Sequence, residues 1–259
     1  MSRNREVHTL LSVACRIGQL MLENGAETYR VEQTIGIVCK TYKYKNCESS
    51  VIPTTITLSI TTKDNETYSM IKRINSRTVN LHKVSLINDL SRRITTEKIS
   101  LTDLNKLLDD LDNSPKYSTK TTSFFTALAS ASFCLLFGGN FRDFFITFFI
   151  GFFLSYCSVY LSLMEVNGFF VNITIGFLAS ILALFSIKLG LGVHQDKIVI
   201  GSIMLLLPGI SITNAIRDII AGDLVSGMSR TVEAFLCAVA IALGTGVGFN
   251  IWLTFIGGI

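Results

Sequence analysis

The fold is decided by residues 144–187, which read FFITFFIGFFLSYCSVYLSLMEVNGFFVNITIGFLASILALFSI and contain one charged residue, Glu165. A helix needs about 20 mostly apolar residues to cross the hydrocarbon core of a bilayer. The stretch is long enough for two such helices, and Asn167-Gly168 is typical of a turn between them. It therefore predicts a pair of membrane-spanning helices rather than the core of a water-soluble domain.

The same pattern continues on both sides of this stretch. Five runs of 19 to 26 residues without Asp, Glu, Lys or Arg occur between residues 121 and 259. They predict an all-α bundle of about five transmembrane helices over residues 119–259. The expected spans are residues 121–139, 144–164, 169–188, 198–216 and 232–256.

Residues 1–120 have a different composition. They carry 18 Lys and Arg, 13 Asp and Glu and no Phe. The other 139 residues carry 5 Lys and Arg and 6 Asp and Glu, and they hold all 18 Phe. A single soluble globular domain does not separate its composition in this way. We therefore expect a small cytosolic α+β domain over residues 1–118 in front of the membrane domain. Lys116 and Lys120 border the first expected span, and the positive-inside tendency favours a cytosolic location for this domain.

The spacing of apolar residues predicts the helices and strands of residues 1–118. Ile56, Leu58 and Ile60 alternate with Thr and Ser, which is typical of a half-buried strand. Residues 67–74 are expected to return as a second strand, and residues 51–52 to form a third strand at the edge. Helical spacing of apolar residues predicts helices at about residues 7–22, 27–40, 79–90 and 97–111.

Several function classes are disfavoured by what the sequence lacks. It shows no Gly-rich phosphate loop, no Cys/His metal spacing and no Ser/His/Asp set, so we expect no enzyme, no metal site and no cofactor. Residues 1–120 also lack Phe and Trp for base stacking, so a nucleic-acid partner is not expected. The cluster of Glu23, Glu27, Arg30 and Glu32 is interpreted as a solvated helix corner with local ion pairs, in preference to a site.

The most informative segment is Leu207–Glu233, LPGISITNAIRDIIAGDLVSGMSRTVE. Pro208-Gly209 breaks the fourth expected span, because Pro removes a backbone hydrogen bond. After the break, Asn214, Arg217 and Asp218 lie at i, i+3 and i+4 and form a polar stripe on one helical face. We expect Arg217 to face the polar interior of the membrane domain, within reach of Asp218 or Asp223.

Two interpretations of this segment stay open. Charges at bilayer depth cost about 2.5–3.5 kcal/mol each on insertion scales, so they are usually paired or face a water-filled path. A broken helix with facing charges is one way that transporters build a midplane site. The alternative is an ordinary cytosolic loop in which Arg217 pairs with an Asp and sets the topology.

Three strings of the sequence resemble a known family. LENGAETYRVEQT (Leu22–Thr34), IPTTITLS (Ile52–Ser59) and PGISITNAIRDIIAGDLVSGMSRTVEA (Pro208–Ala234) are similar to the threonine/serine exporter (ThrE) family, in its split YjjP-like form. The resemblance implies a cytosolic N-terminal domain, about five spans in a bacterial inner membrane, and coupling to the proton gradient. It also implies a second, YjjB-like small membrane subunit, which fused exporters carry as a C-terminal half and which we expect this chain to lack. The cytosolic-domain motif is then Glu23, Asn24, Gly25, Glu27, Arg30 and Glu32.

If the chain is an exporter subunit, the chemistry of the residues after the helix break suggests their roles. Arg217 would hold a substrate carboxylate, and Asp218 or Asp223 would hold an ammonium group or carry the coupled proton. Thr213 and Asn214 would supply neutral hydrogen bonds. One Arg with one Asp favours a zwitterion such as threonine or serine, while a dicarboxylate such as succinate remains open. A non-transporting assembly or regulatory subunit is the rival function, and a homo-oligomer is compatible with either.

Overall fold

The computed structural model describes residues 2–44, 46–97, 99–114 and 117–256 of the 259-residue chain. The chain forms two compact units, and each unit takes two separate stretches of sequence. We call residues 1–115 with 210–231 the sheet unit, and residues 116–209 with 232–259 the bundle unit.

Two helices precede and two helices follow a small sheet in the sheet unit. This order matches the prediction, although the third helix continues to Thr96, beyond its predicted end at residue 90. The elements are α1 (Ser2–Glu23), α2 (Thr28–Thr41), β1 (Cys47–Ile52), β2 (Thr55–Thr61), β3 (Thr67–Arg73), α3 (Leu81–Thr96) and α4 (Leu101–Asp112).

The sheet is an antiparallel meander with the order β1-β2-β3. Ile56, Leu58 and Ile60 of β2 are fully buried, as the alternation predicted, because successive side chains of a strand point to opposite faces. The edge strand β1 begins at Cys47, earlier than predicted, because pairing with β2 holds polar residues that carry no apolar alternation.

Helices make up the bundle unit. Up to residue 209 they are α5 (Thr119–Leu136), α6 (Phe141–Leu163), α7 (Gly168–Lys188), α8 (Gln195–Ile203) and a 3-10 turn (Met204–Leu206). Two further helices follow in the chain, α9 (Gly209–Ala221) and α10 (Leu224–Ile251). All of α9 from residue 210 belongs to the sheet unit, and so do residues 224–231 of α10.

The described residues include three helices that could cross a membrane by length and composition. These are α6, α7 and residues 224–255, which start with α10, and a bent pair of α8 with α9 would make a fourth. The chain is thus a multi-pass membrane protein. The first expected span coincides with α5, whose first turn holds Lys120 and several hydroxyl residues, and the count of five stays a prediction.

The fourth expected span, residues 198–216, is not one continuous helix. Its regular α-helix ends at Ile203, and α9 begins at Gly209 after the 3-10 turn and Pro208. The break lies where the sequence predicted it, because Pro cannot donate a backbone hydrogen bond. Residues 210–231, which the charge spacing assigned to the membrane domain, form part of the sheet unit.

Candidate functional site

A left-handed turn joins α1 to α2. The N–H of Gly25 donates to the Leu22 carbonyl at 3.1 Å, and the N–H of Ala26 donates to the Met21 carbonyl at 3.0 Å. This is the pattern of a Schellman C-cap. Gly25 has a φ of 92°, which a residue with a Cβ rarely adopts. The Asn24-Gly25 pair therefore ends α1, as predicted.

Glu27 holds an arginine on each of its carboxylate oxygens. Nη1 of Arg217 on α9 donates to Oε1 at 2.6 Å, and Nε of Arg30 lies 3.3 Å from Oε2. The Glu27 side chain is 9% exposed, whereas those of Arg30 and Arg217 are 43% and 54% exposed. A buried carboxylate thus anchors two guanidinium groups that remain half open to solvent.

The charge of Glu27 is stabilised where it lies. Burial acts to raise the pKa of Glu27, but hydrogen bonds from its own backbone N–H and from Arg217 outweigh burial, and the pKa is lowered. Glu27 is therefore ionised at neutral pH, and both of its ion pairs are intact there.

Asp218 is fully buried, with a hydrogen bond to one of its oxygens and an ion pair at the other. Oδ1 accepts the N–H of Thr28, the first residue of α2, at 3.2 Å, and Oδ2 lies 3.0 Å from Nε of Arg230. Glu27 precedes α2 but forms no side-chain cap. Asp218 therefore caps α2 from a distant part of the chain, and its negative charge interacts favourably with the helix dipole.

Two more side chains bind the backbone of the same turn. Nδ2 of Asn214 donates to the Gly25 carbonyl at 2.9 Å, and Nη2 of Arg230 donates to the Ala26 carbonyl at 2.9 Å. Asn214 and Arg230 are both buried. These contacts, together with the Asp218 cap on Thr28, explain why residues 210–231 belong to the sheet unit.

A cavity of about 400 Å³ lies beside the Glu27–Arg217 pair. The helix α3 supplies Ser85 and Asn88 to its wall, along with apolar side chains. The sequence-predicted residues that line it are Gly25, Glu27, Arg30, Thr213, Asn214 and Arg217. A volume of this size suits a small metabolite.

A second set of contacts joins α2 and α10 to the edge strand. Oε1 of Glu32 accepts the N–H of Val51 at 2.8 Å, and the Val51 carbonyl accepts the hydroxyl of Ser226 at 3.4 Å. Burial raises the pKa of Glu32, and the charge of Asp223 adds to that rise. Burial also raises the pKa of Asp223, with a contribution from Asp218. The two carboxyl groups take up a proton more readily than solvated ones.

The ion pairs differ from those that the sequence predicted. Arg217 was expected to reach Asp218 or Asp223, but the structure pairs it with Glu27, and Asp218 pairs with Arg230 instead. Adjacent residues on a helix point about 100° apart, so Arg217 and Asp218 face different neighbours. By its contacts, the stripe belongs to the sheet unit.

The interpretation of residues 23–32 as a solvated corner is wrong for Glu27, which is buried and bound to α9. Only the Arg30–Glu27 pair fits the local ion pairs that were expected. Glu23 and Asn24 stay with their own helix, because Glu23 accepts from Gln19 at 2.7 Å and Asn24 donates to the Leu20 carbonyl at 2.7 Å.

Sequence reasoning missed Arg230, Ser85 and Asn88 as parts of this arrangement. Arg230 stands in the quoted Leu207–Glu233 segment, but nothing in the spacing selects Asp218 as its partner. Ser85 and Asn88 lie outside all three family-like strings. Across the described residues, no group of three or more His, Cys, Asp or Glu is placed to hold a metal ion.

A family model described as "Putative threonine/serine exporter" matches residues 12–252, which include the α1–α2 turn and the segment that binds it. The chain belongs to the threonine/serine exporter family. Members of this exporter family are transporters, and the family covers both units of the present chain.

Curated relatives of the chain carry two kinds of name. "Threonine/serine exporter" of Corynebacterium glutamicum is 23% identical over 258 residues, which cover 97% of this chain and 53% of the relative. "Probable threonine/serine exporter" of Mycobacterium tuberculosis is 22% identical, over 92% of this chain and 46% of the relative. "Probable succinate transporter subunit YjjP" of Escherichia coli K12 is 23% identical, over 94% of both proteins.

The chain thus spans about half the length of the two exporters and nearly the full length of the transporter subunit. No solved structure gave a significant match.

Proposed function

We propose that this chain is a subunit of a proton-coupled exporter of threonine and serine in the bacterial inner membrane, working with a second, YjjB-like small membrane subunit. The Glu27–Arg217 ion pair at the cavity carries the proposal. It joins two of the exporter-like strings and presents a half-exposed guanidinium to a cavity of metabolite size. The names of the relatives supply the two substrate classes, amino acid and dicarboxylate.

Arg217 is the group that we assign to the substrate carboxylate. A guanidinium has five N–H donors, and the bond to Glu27 uses one of those of Arg217. The others can form the planar, two-bonded pair with a carboxylate that gives Arg its geometric selectivity. Thr213 lines the same cavity, and the amide oxygen of Asn214 is its remaining acceptor, because Nδ2 already binds Gly25.

Asp218 enters this proposal as a positioning residue. Arg230 and the N–H of Thr28 occupy its two oxygens, and its side chain is fully buried. It therefore fixes residues 25–28 so that Gly25 and Glu27 line the cavity. The proton-coupling role passes to Asp223, whose pKa is raised by burial and by Asp218.

The geometry also favours a second candidate, export of a dicarboxylate. Arg30 and Arg217 both line the cavity, and Glu27 balances only one of these two positive charges. Among the described residues that line the cavity, Glu27 is the one carboxylate, and it already binds both arginines. Two carboxylates of one substrate could each meet one guanidinium.

Transport assays separate these functions from a purely regulatory role. Proteoliposomes would hold this chain alone, the YjjB-like subunit alone, or both, with labelled threonine and labelled succinate as competing substrates. We expect gradient-driven transport only when both subunits are present. Full transport by the partner alone would leave this chain an assembly or regulatory subunit.

Arg217→Lys tests the site itself, with Arg93→Lys as the matched control. Arg93 also pairs with a Glu, but that pair lies on an exposed face of α3. Lys keeps the charge and loses the planar fork, so Arg217→Lys is expected to lower transport at least tenfold, whereas Arg93→Lys should leave it unchanged. Equal activity in both variants would contradict the assignment of Arg217.

The proposed orientation places the N-terminal domain in the cytosol. A reporter fused at Met1 should then behave as cytosolic and a reporter fused at Ile259 as external, if five spans are present. Periplasmic activity of the Met1 fusion would reverse the topology.

A further inference from the structure

The bundle unit also holds a buried carboxylate, which the proposed function does not use. Asp143, in the first turn of α6, is fully buried, and its Oδ2 lies 2.8 Å from Nδ1 of His194. The His194 side chain, directly before α8, is 46% exposed. The imidazole ring of His194 therefore contacts the buried carboxylate on one side and is partly exposed to solvent.

Asp143 is surrounded by hydrogen-bond donors. Its Oδ1 accepts the backbone N–H groups of Val193 at 2.7 Å and His194 at 3.2 Å, and its Oδ2 accepts the N–H of Asn140 at 3.0 Å. Three backbone donors stabilise the ionised form of a carboxylate. Asp143 therefore remains an anion, and a proton arriving at the pair is held by the imidazole.

The contact also fixes the tautomer of His194. An ionised carboxylate only accepts hydrogen bonds, so the hydrogen of the neutral imidazole must be on Nδ1. The lone pair is then on Nε2. A proton from solvent adds to that lone pair without breaking any bond, and Asp143 provides the counter-charge for the imidazolium.

Two buried hydroxyl residues lie on the same two helices as the pair. Thr147 lies one turn after Asp143 on the same face of α6 and its hydroxyl interacts with the Cys134 thiol, and Ser202 lies about two turns into α8. Gly201 lets α8 approach α5 closely here, since a Cβ on it would lie 2.8 Å from Cβ of Cys134. Ionisable groups inside an apolar bundle, such as the Asp143–His194 pair, are typical of an ion or proton pathway.

The other charged groups near the pair are either paired or on the surface. Lys197 and Asp196, at the start of α8, bind each other at 2.9 Å. Lys188, at the end of α7, lies 5.8 Å from the centre of the Trp252 ring. Arg142 on α6 is exposed, and Cys134 of α5 faces the buried side. Asp143 is the group in hydrogen-bond contact with the imidazole.

We propose that His194, held by Asp143, is a proton-binding site of the bundle unit, and that it contributes to coupling transport to the proton gradient. The coupling part rests on the proposed function, whereas proton binding does not. Histidine changes charge between about pH 5 and 8 when unperturbed, which is the range in which a proton gradient acts. Because His194 immediately precedes α8, its charge acts at the start of the helix that leads through Pro208 to the Arg217 segment.

Proton binding can be measured directly, because the chain has only three histidines, His8, His82 and His194. The full chain would be labelled with ¹⁵N-histidine, placed in lipid nanodiscs and titrated by NMR from pH 5 to 8.5. The variants His8→Gln, His82→Gln and His194→Gln assign the signals. Neutral His194 should show the Nδ1–H tautomer and should become doubly protonated within this range.

Asp143→Asn tests the partner, with Arg142→Gln as the neighbouring control. Removing the carboxylate should end the Nδ1–H preference of the neutral imidazole, and the control should keep it. An Nε2–H tautomer in the wild-type chain, no change of charge across the range, or an unchanged tautomer in Asp143→Asn would overturn the proposal. The tautomer of the wild-type chain decides the matter even if Asp143→Asn does not fold.

A transport arm tests the coupling. In proteoliposomes with the partner subunit, His194→Gln should lose most of the acceleration by a pH gradient, about tenfold, while substrate exchange without a gradient persists. His82→Gln should behave as wild type. If the wild type moves neither threonine nor succinate, the proposed function fails while the titration result stands. If His194→Gln responds to the gradient as wild type does, the coupling role fails and the exporter assignment stands.

Discussion

The sheet unit and the bundle unit each contain one fully buried aspartate that holds a helix start, and the two differ in the cation beside it. Asp218 caps α2 and binds Arg230, which is itself buried. Asp143 completes the capping box of α6 by accepting the N–H of Asn140, binds the backbone before α8 and contacts His194, which is half exposed. Arginine stays charged at every physiological pH, whereas histidine does not.

This difference separates a permanent connection from one that can respond to protons. Asp218 and Arg230 each bind a backbone group of residues 26–28, 190 and 204 residues earlier in the chain, and both of their side chains are buried. The Asp143–His194 pair keeps its hydrogen bond in both charge states of the imidazole, and only the net charge changes. A buried aspartate thus fits a structural role in the sheet unit and a functional role in the bundle unit.

The strongest way to break the first pair is Arg230→Ala. It leaves Asp218 as a buried, unpaired carboxylate, which typically costs about 3–5 kcal/mol of unfolding free energy. Denaturation of the purified full chain measures the loss, and Arg93→Ala on the exposed face of α3 serves as the control. A double variant, Asp218→Leu with Arg230→Met, should recover part of the stability. Wild-type stability of Arg230→Ala would show that the pair is not needed to join the segments.

Breaking the Asp143–His194 pair should lower the free energy of unfolding by a smaller amount. Asp143→Ala leaves three backbone N–H groups without their acceptor, for which we expect about 1–3 kcal/mol. The cost is smaller because the half-exposed His194 can turn to water, whereas Arg230 cannot. The same denaturation assay compares the two variants. A larger loss for Asp143→Ala than for Arg230→Ala would reverse the ranking of the two pairs.

Arg230→His sharpens the comparison by giving the sheet unit a titratable cation. A histidine beside a buried carboxylate has a folded-state pKa above its unfolded value of about 6.5. The stabilisation of the folded state by this histidine is then complete below pH 6.5, and it is lost as the pH rises through the folded-state pKa. The free energy of unfolding should be higher at pH 5.5 than at pH 8, and this difference should be about 1 kcal/mol larger in the variant than in wild type. Parallel pH profiles would show that Asp218 does not act on residue 230 through its charge.

The smallest expected effect concerns Glu27 at acid pH. Its pKa is lowered from the ordinary value of 4.5, so its stabilisation is present above that value and is lost as the pH falls through the folded-state pKa. Arg217→Gln removes one cause of the lowering. At neutral pH this should cost under about 1 kcal/mol, because Arg217 is 54% exposed. Below pH 4.5 the variant and wild type should converge, and a constant difference down to pH 3 would contradict this account of Glu27.

Much of the fold could be predicted because its signals are local. The alternation in β2, the Asn24-Gly25 stop of α1 and the Pro208-Gly209 break each depend on a few neighbouring residues. The edge strand β1 was shortened in the prediction, because its polar residues are held by pairing with β2 rather than by their own pattern.

The partners within the site could not be predicted in the same way. The spacing placed Arg217 and Asp218 on one polar stripe, but their partners, Glu27 and the Thr28 N–H, lie about 190 residues earlier in the chain. One of those partners is a backbone group, which has no signature in a sequence. The assignment of residues 210–231 to the membrane domain followed from charge spacing, which measures how apolar a helix is and not what it packs against.

The turn at residues 25–28 is held by its main chain. Asn214 and Arg230 bind the carbonyls of residues 25 and 26, and Asp218 binds the N–H of residue 28. Those atoms are the same in every amino acid except proline, which lacks the N–H. The identity of residues 26 and 28 therefore affects the packing of their buried side chains but not these hydrogen bonds, while position 25 needs a glycine for its φ of 92°.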